Sequence, residues 1–320
     1  MKCCYINFLL VNLYARPRTM DQLNIKSEGN GQYIIITPMR NEIRTVEITI
    51  KALLSQTVLP NKWIILDDGS TDGSEKIVSK YAEEYPWISH IKIADRGYDF
   101  VGQGVADLLN FGLKMLHDEP PVEFIAKLDA DLDFANDYFE SMLLEMRQEP
   151  RLGIVSGHPY VLENDNKVFE RHSSYFPSGT ARLYRITYLN DIGYFVSSVG
   201  WDTVDILRMR MHNHLTKICH HIPVHHMRPM GTRGGYINGM VRDGRNSYLT
   251  GYTPLFLLAR ALFNIRYYPY LLRTFCMIYG YFTTYFKGVP RTVSDKEYQF
   301  HAKLQRHRLM LRNIDDIDQQ

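Results

Sequence analysis

Cysteine is scarce: four residues in 320, at Cys3, Cys4, Cys219 and Cys276. So few build no disulfide framework, and the default compartment is reducing, which makes the expected location cytoplasmic. Excess charge of either sign is also lacking, since 37 Lys and Arg face 35 Asp and Glu for a formal net charge of +2. A protein that holds nucleic acid by neutralising phosphates is therefore not expected. Long apolar runs are missing too. The stretch from Cys3 to Ala15 falls short of the ~20 residues that a spanning helix needs. With Lys2 as its lone basic flank and no convincing small-residue cleavage site, it also makes a poor signal peptide. There is no internal repeat and no low-complexity linker. What remains is ordinary: 45% apolar and 22% charged residues, the composition of a folded globular chain and not of a disordered, collagenous or multi-span one.

At 37.4 kDa the chain has room for two domains, or for one large α/β domain with an appendage. Residues 1–31 read as an N-terminal tail in which Met20, after Arg16-Pro17-Arg18, is a candidate true start; an anchor is the alternative. From Gln32 onward the pattern becomes regular. Tyr33-Ile34-Ile35-Ile36, Trp63-Ile64-Ile65-Leu66, Ile88 to Ile93, Phe124 to Leu128 and Gly153 to Ser156 are short apolar runs of the kind found in buried parallel strands. Between them, apolar residues recur at helical spacing, as in Ile43, Val46, Ile50 and Leu53. Alternation of this kind implies right-handed crossovers and a mostly parallel sheet covered on both faces. Such sheets bind ligands at the carboxyl ends of their strands. Arg40-Asn41-Glu42, Asp67-Asp68 and Asp129 to Asp133 all fall there. Gly102-Gln103-Gly104 hints at a dinucleotide fingerprint, but Asp107 stands where the third glycine belongs, so the segment reads as a helix-entry turn.

Asp129-Ala130-Asp131 sets two carboxylates two residues apart directly after an apolar strand. Clustered carboxylates repel, and a divalent cation relieves the conflict. Hard oxygen ligands suit Mg²⁺ or Mn²⁺, which keep waters and share a substrate diphosphate. Lys127, within the strand, is placed to pair with the acids. Asp133 reads as a solvated turn carboxylate.

These segments carry a resemblance. Ile35-Ile36-Thr37-Pro38-Met39-Arg40-Asn41-Glu42, the stretch Trp63 through Asp67-Asp68-Gly69-Ser70-Thr71-Asp72-Gly73-Ser74, and Lys127-Leu128-Asp129-Ala130-Asp131 together resemble the family 2 glycosyltransferases. The resemblance covers roughly residues 32–235. It implies the GT-A fold, a Rossmann-like α/β architecture with a mostly parallel central sheet. The catalytic domain would run over 32–250, with a nucleotide-sugar half at 32–157 and an acceptor half at 158–250. By the same resemblance, Glu42 and Asp68 contact the nucleoside of a UDP- or GDP-sugar, Pro38 and Arg40 shape its pocket, and Asp129 lies by the ribose or metal. Asp131 then ligates Mn²⁺ or Mg²⁺ on the diphosphate. The implied reaction is inverting transfer to a glycan or lipid-linked acceptor, and no nucleic-acid partner is expected.

The second half offers a general base. The family carries an acidic pair before a helix, and the matching place reads Gly200-Trp201-Asp202-Thr203-Val204-Asp205. Asp202 aligns with the base; Trp201 departs from the usual glutamate. Asp202 also reads as an N-cap for a helix from Thr203 to Met211. Arg182 and Arg185 are read either as phosphate ligands or as surface arginines. Residues 212–226 are rich in histidine but lack paired zinc spacing, and Lys217 to Val224 reads as a strand with its histidines outward. His226 falls where many enzymes of this fold place a late histidine near the metal, and His225 is its close competitor. Residues 251–320 form a helical, aromatic and basic appendage. Tyr267 to Phe286 holds nine aromatics in 20 residues, broken by Pro269 and Arg273. That mixture suits peripheral contact with the inner face of a membrane, or packing on the catalytic domain. A polyprenyl-phosphate sugar synthase, a nucleotidyltransferase and a non-catalytic nucleotide- or glycan-binding relative are the rival readings.

Overall fold

The computed structural model describes residues 32–94, 96, 102–116, 120–228, 235–265 and 271–310. The N-terminal tail with Met20, the start of the aromatic segment at residues 267–270 and the acidic end at 315–320 lie outside them. In chain order the elements are β1 (Tyr33–Met39), α1 (Val46–Leu54), β2 (Lys62–Asp68), α2 (Ser74–Glu84), β3 (Ile88–Ile93), α3 (Gln103–Met115), β4 (Phe124–Leu128), β5 (Leu132–Phe134) and α4 (Tyr138–Gln148). Then follow β6 (Leu152–Glu163), β7 (Asn166–Phe169), β8 (Ala181–Arg185), α5 (Ile186–Asp191), α6 (Trp201–Met211) and β9 (Leu215–His226). The C-terminal helices are α7 (Tyr236–Leu249), α8 (Pro254–Asn264), α9 (Leu271–Phe286) and α10 (Asp295–Leu309).

Among the described residues the strands make one sheet in the order β3-β2-β1-β4-β8-β6-β9-β5, with β7 hairpinned onto β6. β3, β2, β1 and β4 are mutually parallel. β8 enters antiparallel to both β4 and β6. The expected α/β class and mostly parallel sheet are therefore found. β1 is buried along its whole length, because successive side chains leave the sheet on opposite faces and both faces are covered. Tyr33 and Ile35 pack in the core with α1 and α4, whereas Ile34 and Ile36 join the core with α3, α5 and α6.

The β6 strand is longer than its apolar stretch predicts. Beyond Gly157 its burial is only partial, and it runs out into a hairpin with β7, all of which is exposed; the apolar residues Leu162, Val168 and Phe169 there face outward. β9 forms as expected, but the outward alternation of its histidines fails at His220 and His221, which are both exposed. The register between β6 and β9 slips there, from Gly157↔Cys219 to His158↔Pro223, and a bulge breaks the two-residue period. Gly102, at φ 78°, caps α3, so the helix-entry reading of that glycine pair holds.

The appendage packs through close helix contact. A Cβ added at Gly244 of α7 would lie 1.9 Å from the Met277 carbonyl oxygen of α9, and one at Gly280 would lie 2.0 Å from that of Val241. Two glycines thus let the backbones of α7 and α9 touch. α10 docks on α6, where Arg208 donates to Glu297 at 2.6 Å and Val204, Leu207, Val293 and Leu304 share a small core.

Candidate active site

The loops after β1 and β2 are interlocked. Asn41 adopts φ 56°, a region where Asn is the tolerated non-glycine residue. There its backbone N–H donates to Ser70 Oγ at 2.9 Å and its side-chain oxygen accepts from Thr71 N–H at 2.8 Å. Asp72 accepts from Ile43 N–H at 2.9 Å and from Ser74 N–H at 3.0 Å. Asp67 accepts from Ser70 N–H at 2.9 Å. Asp72 thus ties the two loops together, while Asp67 braces the second loop from within. Asp68 is different. Its carboxylate receives Arg96 through Nε at 2.6 Å and Nη2 at 2.8 Å, and Arg40 donates to its carbonyl at 2.9 Å. Pro38 is buried within β1 beside Leu66.

After β4 the chain turns through Asp129 and Asp131 into β5. β5 pairs with the end of β9, setting Leu132 opposite His226 and Asp133 opposite His225. Met227 N–H then donates to the Asp131 carbonyl at 3.0 Å. This pairing carries His226 and Arg228 to the acids. His226 Nε2 lies 3.5 Å from Asp131 Oδ2, while His225 stacks on Tyr160 with ring centroids 5.2 Å apart. His226, not His225, faces Asp131. Asp133 is exposed, as expected of a solvated acid.

Arg228 joins two predicted positions. Its Nη2 donates at 2.6 Å to Glu42 and at 2.7 Å to Asp131 Oδ2. Lys127 donates to Asp129 Oδ1 at 2.6 Å and also to the Gly179 carbonyl, so its expected pairing with the acids is present. Burial pushes the Asp131 carboxyl up, but the hydrogen bond and charge of His226, then those of Arg228, outweigh it and hold its pKa at about 2. Burial raises Asp129, with Lys127 opposing and the charge of Asp131 adding to the rise. Burial disfavours the charged His226 ring, yet hydrogen bonds to Asp131 and Glu170 dominate and lift it to about 9.

Asp202 reaches the same region from the other side. A Cβ on Gly179 would sit 3.3 Å from Asp202 Oδ2, and Gly179 is the residue whose carbonyl Lys127 holds. Asp202 lies in the first turn of α6, whose N-cap is Gly200 at φ 82° with no side-chain cap bond. The N-cap reading of Asp202 is thereby corrected: the helix begins at Trp201, whose buried ring meets Phe195 edge-on at 5.3 Å. The phosphate reading of Arg182 and Arg185 is corrected too, and they are not surface arginines either. Arg182 is fully buried and pairs with Asp205 at 2.8 Å. It also donates to the Asp202 carbonyl at 3.0 Å, Ser178 carbonyl at 2.9 Å and Pro177 carbonyl at 2.7 Å. It therefore fixes the start of α6 to the sheet. Arg185 pairs with Glu123 at 2.6 Å and covers Phe124.

Sequence reasoning overlooked Arg96, Arg228 and Glu170. Arg228 stands two residues after His226, and the clue was the excess of unpaired acids it had to balance. Arg96 and Glu170 carry no motif signal. Among the described residues no group of three His, Cys, Asp or Glu side chains converges as a metal cage. Asp131 Oδ2 and His226 Nε2 do converge. They fit a cation whose other positions go to water and diphosphate oxygens, the habit of Mg²⁺. An imidazole donor is softer than Mg²⁺ prefers, which tilts the set toward Mn²⁺.

The family described as Glycosyl transferase family 2 matches residues 34–215. A poly-beta-1,6-N-acetyl-D-glucosamine synthase of Staphylococcus epidermidis is 25% identical over 182 residues, covering 51% of this chain and 40% of that protein. The synthase of the same description from Staphylococcus aureus strain COL is 27% identical over 121 residues, covering 38% and 27%. The chain thus spans less than half the length of these relatives. In fold, the chain is similar to the mannosyltransferase PcManGT from Pyrobaculum calidifontis, solved with GDP-Man and Mn²⁺, at TM-score 0.56 and 16% identity over 80% of this chain and 87% of that one. It is also similar to GalNAc-T7, solved with UDP, GalNAc and Mn²⁺, at TM-score 0.51 and 9% identity over 72% and 50%. The likeness to these two is one of GT-A architecture. With a family match that covers more than half of its residues, including the first, second and fourth strands and the acids that end them, the chain belongs to glycosyl transferase family 2.

Proposed function

We propose that this glycosyltransferase moves a sugar with inversion from a UDP- or GDP-sugar to a hydroxyl of a glycan or lipid-linked acceptor, using Mn²⁺ or Mg²⁺. The observation that supports this most is that Glu42 and Asp131, from different loops, share one guanidinium. Nucleoside and diphosphate would then be gripped side by side. Asp68, with Arg40 and Pro38, would line the nucleoside end. Asp131 and His226 would hold the cation, with Asp129 beside them on the ribose side, and the cation when bound stabilises charge on the departing diphosphate. Arg228, which is 36% exposed in its side chain, has room to turn from Asp131 onto a phosphate.

Asp202 acts as general base in this reading. It takes the proton of the acceptor hydroxyl as that oxygen bonds to the anomeric carbon and the bond to the diphosphate breaks on the opposite face. Nucleoside diphosphate leaves as the second product. Arg182 holds the Asp202 backbone while the carboxylate works.

For the acceptor end, α8 and α9 present Leu255, Leu262, Phe263, Leu271, Phe275 and Phe286 at least half exposed. No Asp or Glu occurs between Gly251 and Ser294, whereas Arg260, Arg273, Lys287 and Arg291 do. No helix among the described residues is long and apolar enough to cross a membrane. Peripheral attachment to an anionic inner leaflet follows from this reading, and Phe275→Ser should reduce sedimentation with anionic vesicles.

The test of the reaction is a thermal-shift panel of nucleoside diphosphates with and without Mn²⁺, followed by product analysis with the best binder's sugar. Binding should raise the midpoint by mass action, and Asp131→Ala should remove the metal-dependent part. No shift with any nucleotide would sink the proposal. Retained turnover in Asp202→Asn would instead favour a polyprenyl-phosphate acceptor, which needs no strong base.

A further inference from the structure

The β6–β7 hairpin has no core to pack into. All of β7 is exposed, yet the residue just after it is held on every side. Glu170 N–H donates to the Pro159 carbonyl at 2.9 Å. Its own carbonyl accepts from His158 Nε2 at 2.8 Å. One carboxylate oxygen lies 3.2 Å from His226 Nδ1 and the other 3.4 Å from His172 Nε2. The ribbon returns the chain to the wall of the site and sets one carboxylate there, with its side chain 14% exposed.

We infer that Glu170 is a positioning residue for His226, holding Nδ1–H so that Nε2 is presented to the cation shared with Asp131. The argument is one of inventory. An ionised carboxylate only accepts hydrogen bonds, so the nitrogen facing it must carry the hydrogen. The other nitrogen then points to Asp131 with its lone pair free once a cation replaces the proton. Histidine ligands are commonly fixed this way by a carboxylate behind the ring. His172 and the two backbone bonds keep Glu170 itself from turning. The inference rests on the proposed role of His226 as a metal donor.

The test is Mn²⁺ affinity of the full chain, measured by electron paramagnetic resonance of the free ion without nucleotide. Glu170→Ala should weaken binding on the order of 10–100-fold while the thermal midpoint stays near that of the parent. Glu170→Gln, which keeps an acceptor oxygen, should recover most of the loss. Because Glu170 acts through the ring, the double variant Glu170→Ala with His226→Ala should bind no more weakly than His226→Ala alone. If Glu170→Ala lowers the midpoint below the assay temperature, Glu170→Met, similar in length and lacking an acceptor, takes its place. Unchanged affinity in these variants, with His226→Ala weakened, overturns the inference and spares the metal reading. Unchanged affinity in His226→Ala with loss in Asp131→Ala overturns it at its premise. Unchanged affinity in Asp131→Ala removes the metal site and the inference with it.

Discussion

Arg228 donates to Glu42 at 2.6 Å across 186 positions of sequence. A single guanidinium thereby balances a carboxylate after β1 and another after β4. Burying like charges together is costly unless cations join them, and this chain supplies Arg96, Lys127 and the His226–Arg228 pair from three separate segments.

Removing Arg228 should therefore expose the conflict. Arg228→Ala should lower stability by about 1–2 kcal/mol, less than the ~3–5 kcal/mol typical of a broken fully buried pair because the guanidinium is partly exposed. Saturating Mn²⁺ with a nucleoside diphosphate should narrow the gap. Denaturant titration with and without these ligands reads both effects.

The Arg182–Asp205 pair lies wholly inside, so its disruption should be severe. Asp205→Ala strands a buried guanidinium and should cost about 3–5 kcal/mol. Replacing both residues by Met and Leu should recover only part of that stability, because the Pro177, Ser178 and Asp202 carbonyls lose their donor, and should not restore activity. Comparison of unfolding midpoints with turnover in the single and double variants checks the claim.

His301 gives a signed pH dependence. Burial depresses its pKa to about 4, against a partly opposing hydrogen bond with the Thr250 carbonyl at 2.8 Å. The folded ring is neutral where the unfolded ring, near 6.5, begins to charge. Its contribution is complete above that value and is lost as pH falls toward 4, since the unfolded state binds more protons across the interval. His226, lifted to about 9, contributes in the opposite sense, fully below the unfolded value and fading as pH rises through the folded one. The difference between parent and His301→Gln isolates the first effect: the variant's stability should fall less steeply from pH 6.5 to 4.

Close approach of α7 and α9 should make Gly244→Ala disruptive. The new methyl would meet the Met277 carbonyl at 1.9 Å, so the helices must part. A cost of about 1–3 kcal/mol is expected from overpacking, with faster proteolysis within α7 and α9. Limited digestion followed by mass spectrometry measures it.

Much of residues 32–157 was legible because the signals there are local. Apolar runs such as Tyr33–Ile36 end at once in polar clusters, and a strand end in a parallel sheet is where ligands gather. Asp68, Asp129 and Asp131 stand there as read. What escaped depends on pairing between distant strands. Nothing near Arg96 advertises that it reaches Asp68. Arg182 reads as a cation near an acceptor site, and only the packing of α6 over β8 reveals a buried counter-ion for Asp205. Glu170 follows an exposed ribbon, where periodicity is silent. The N-cap reading of Asp202 failed because a left-handed Gly200 starts the helix two residues earlier.

The antiparallel seam between β5 and β9 has a consequence for assembly. Asp131 and Glu42, unlike Asp68 and Asp129, find Arg228 only when the ninth strand docks, 97 and 186 positions later. A truncated product ending before Leu215 would expose Asp131 and Glu42 to each other without relief. Long-range pairing of this kind is slow, so the pocket should be among the last parts of the molecule to become ordered during refolding.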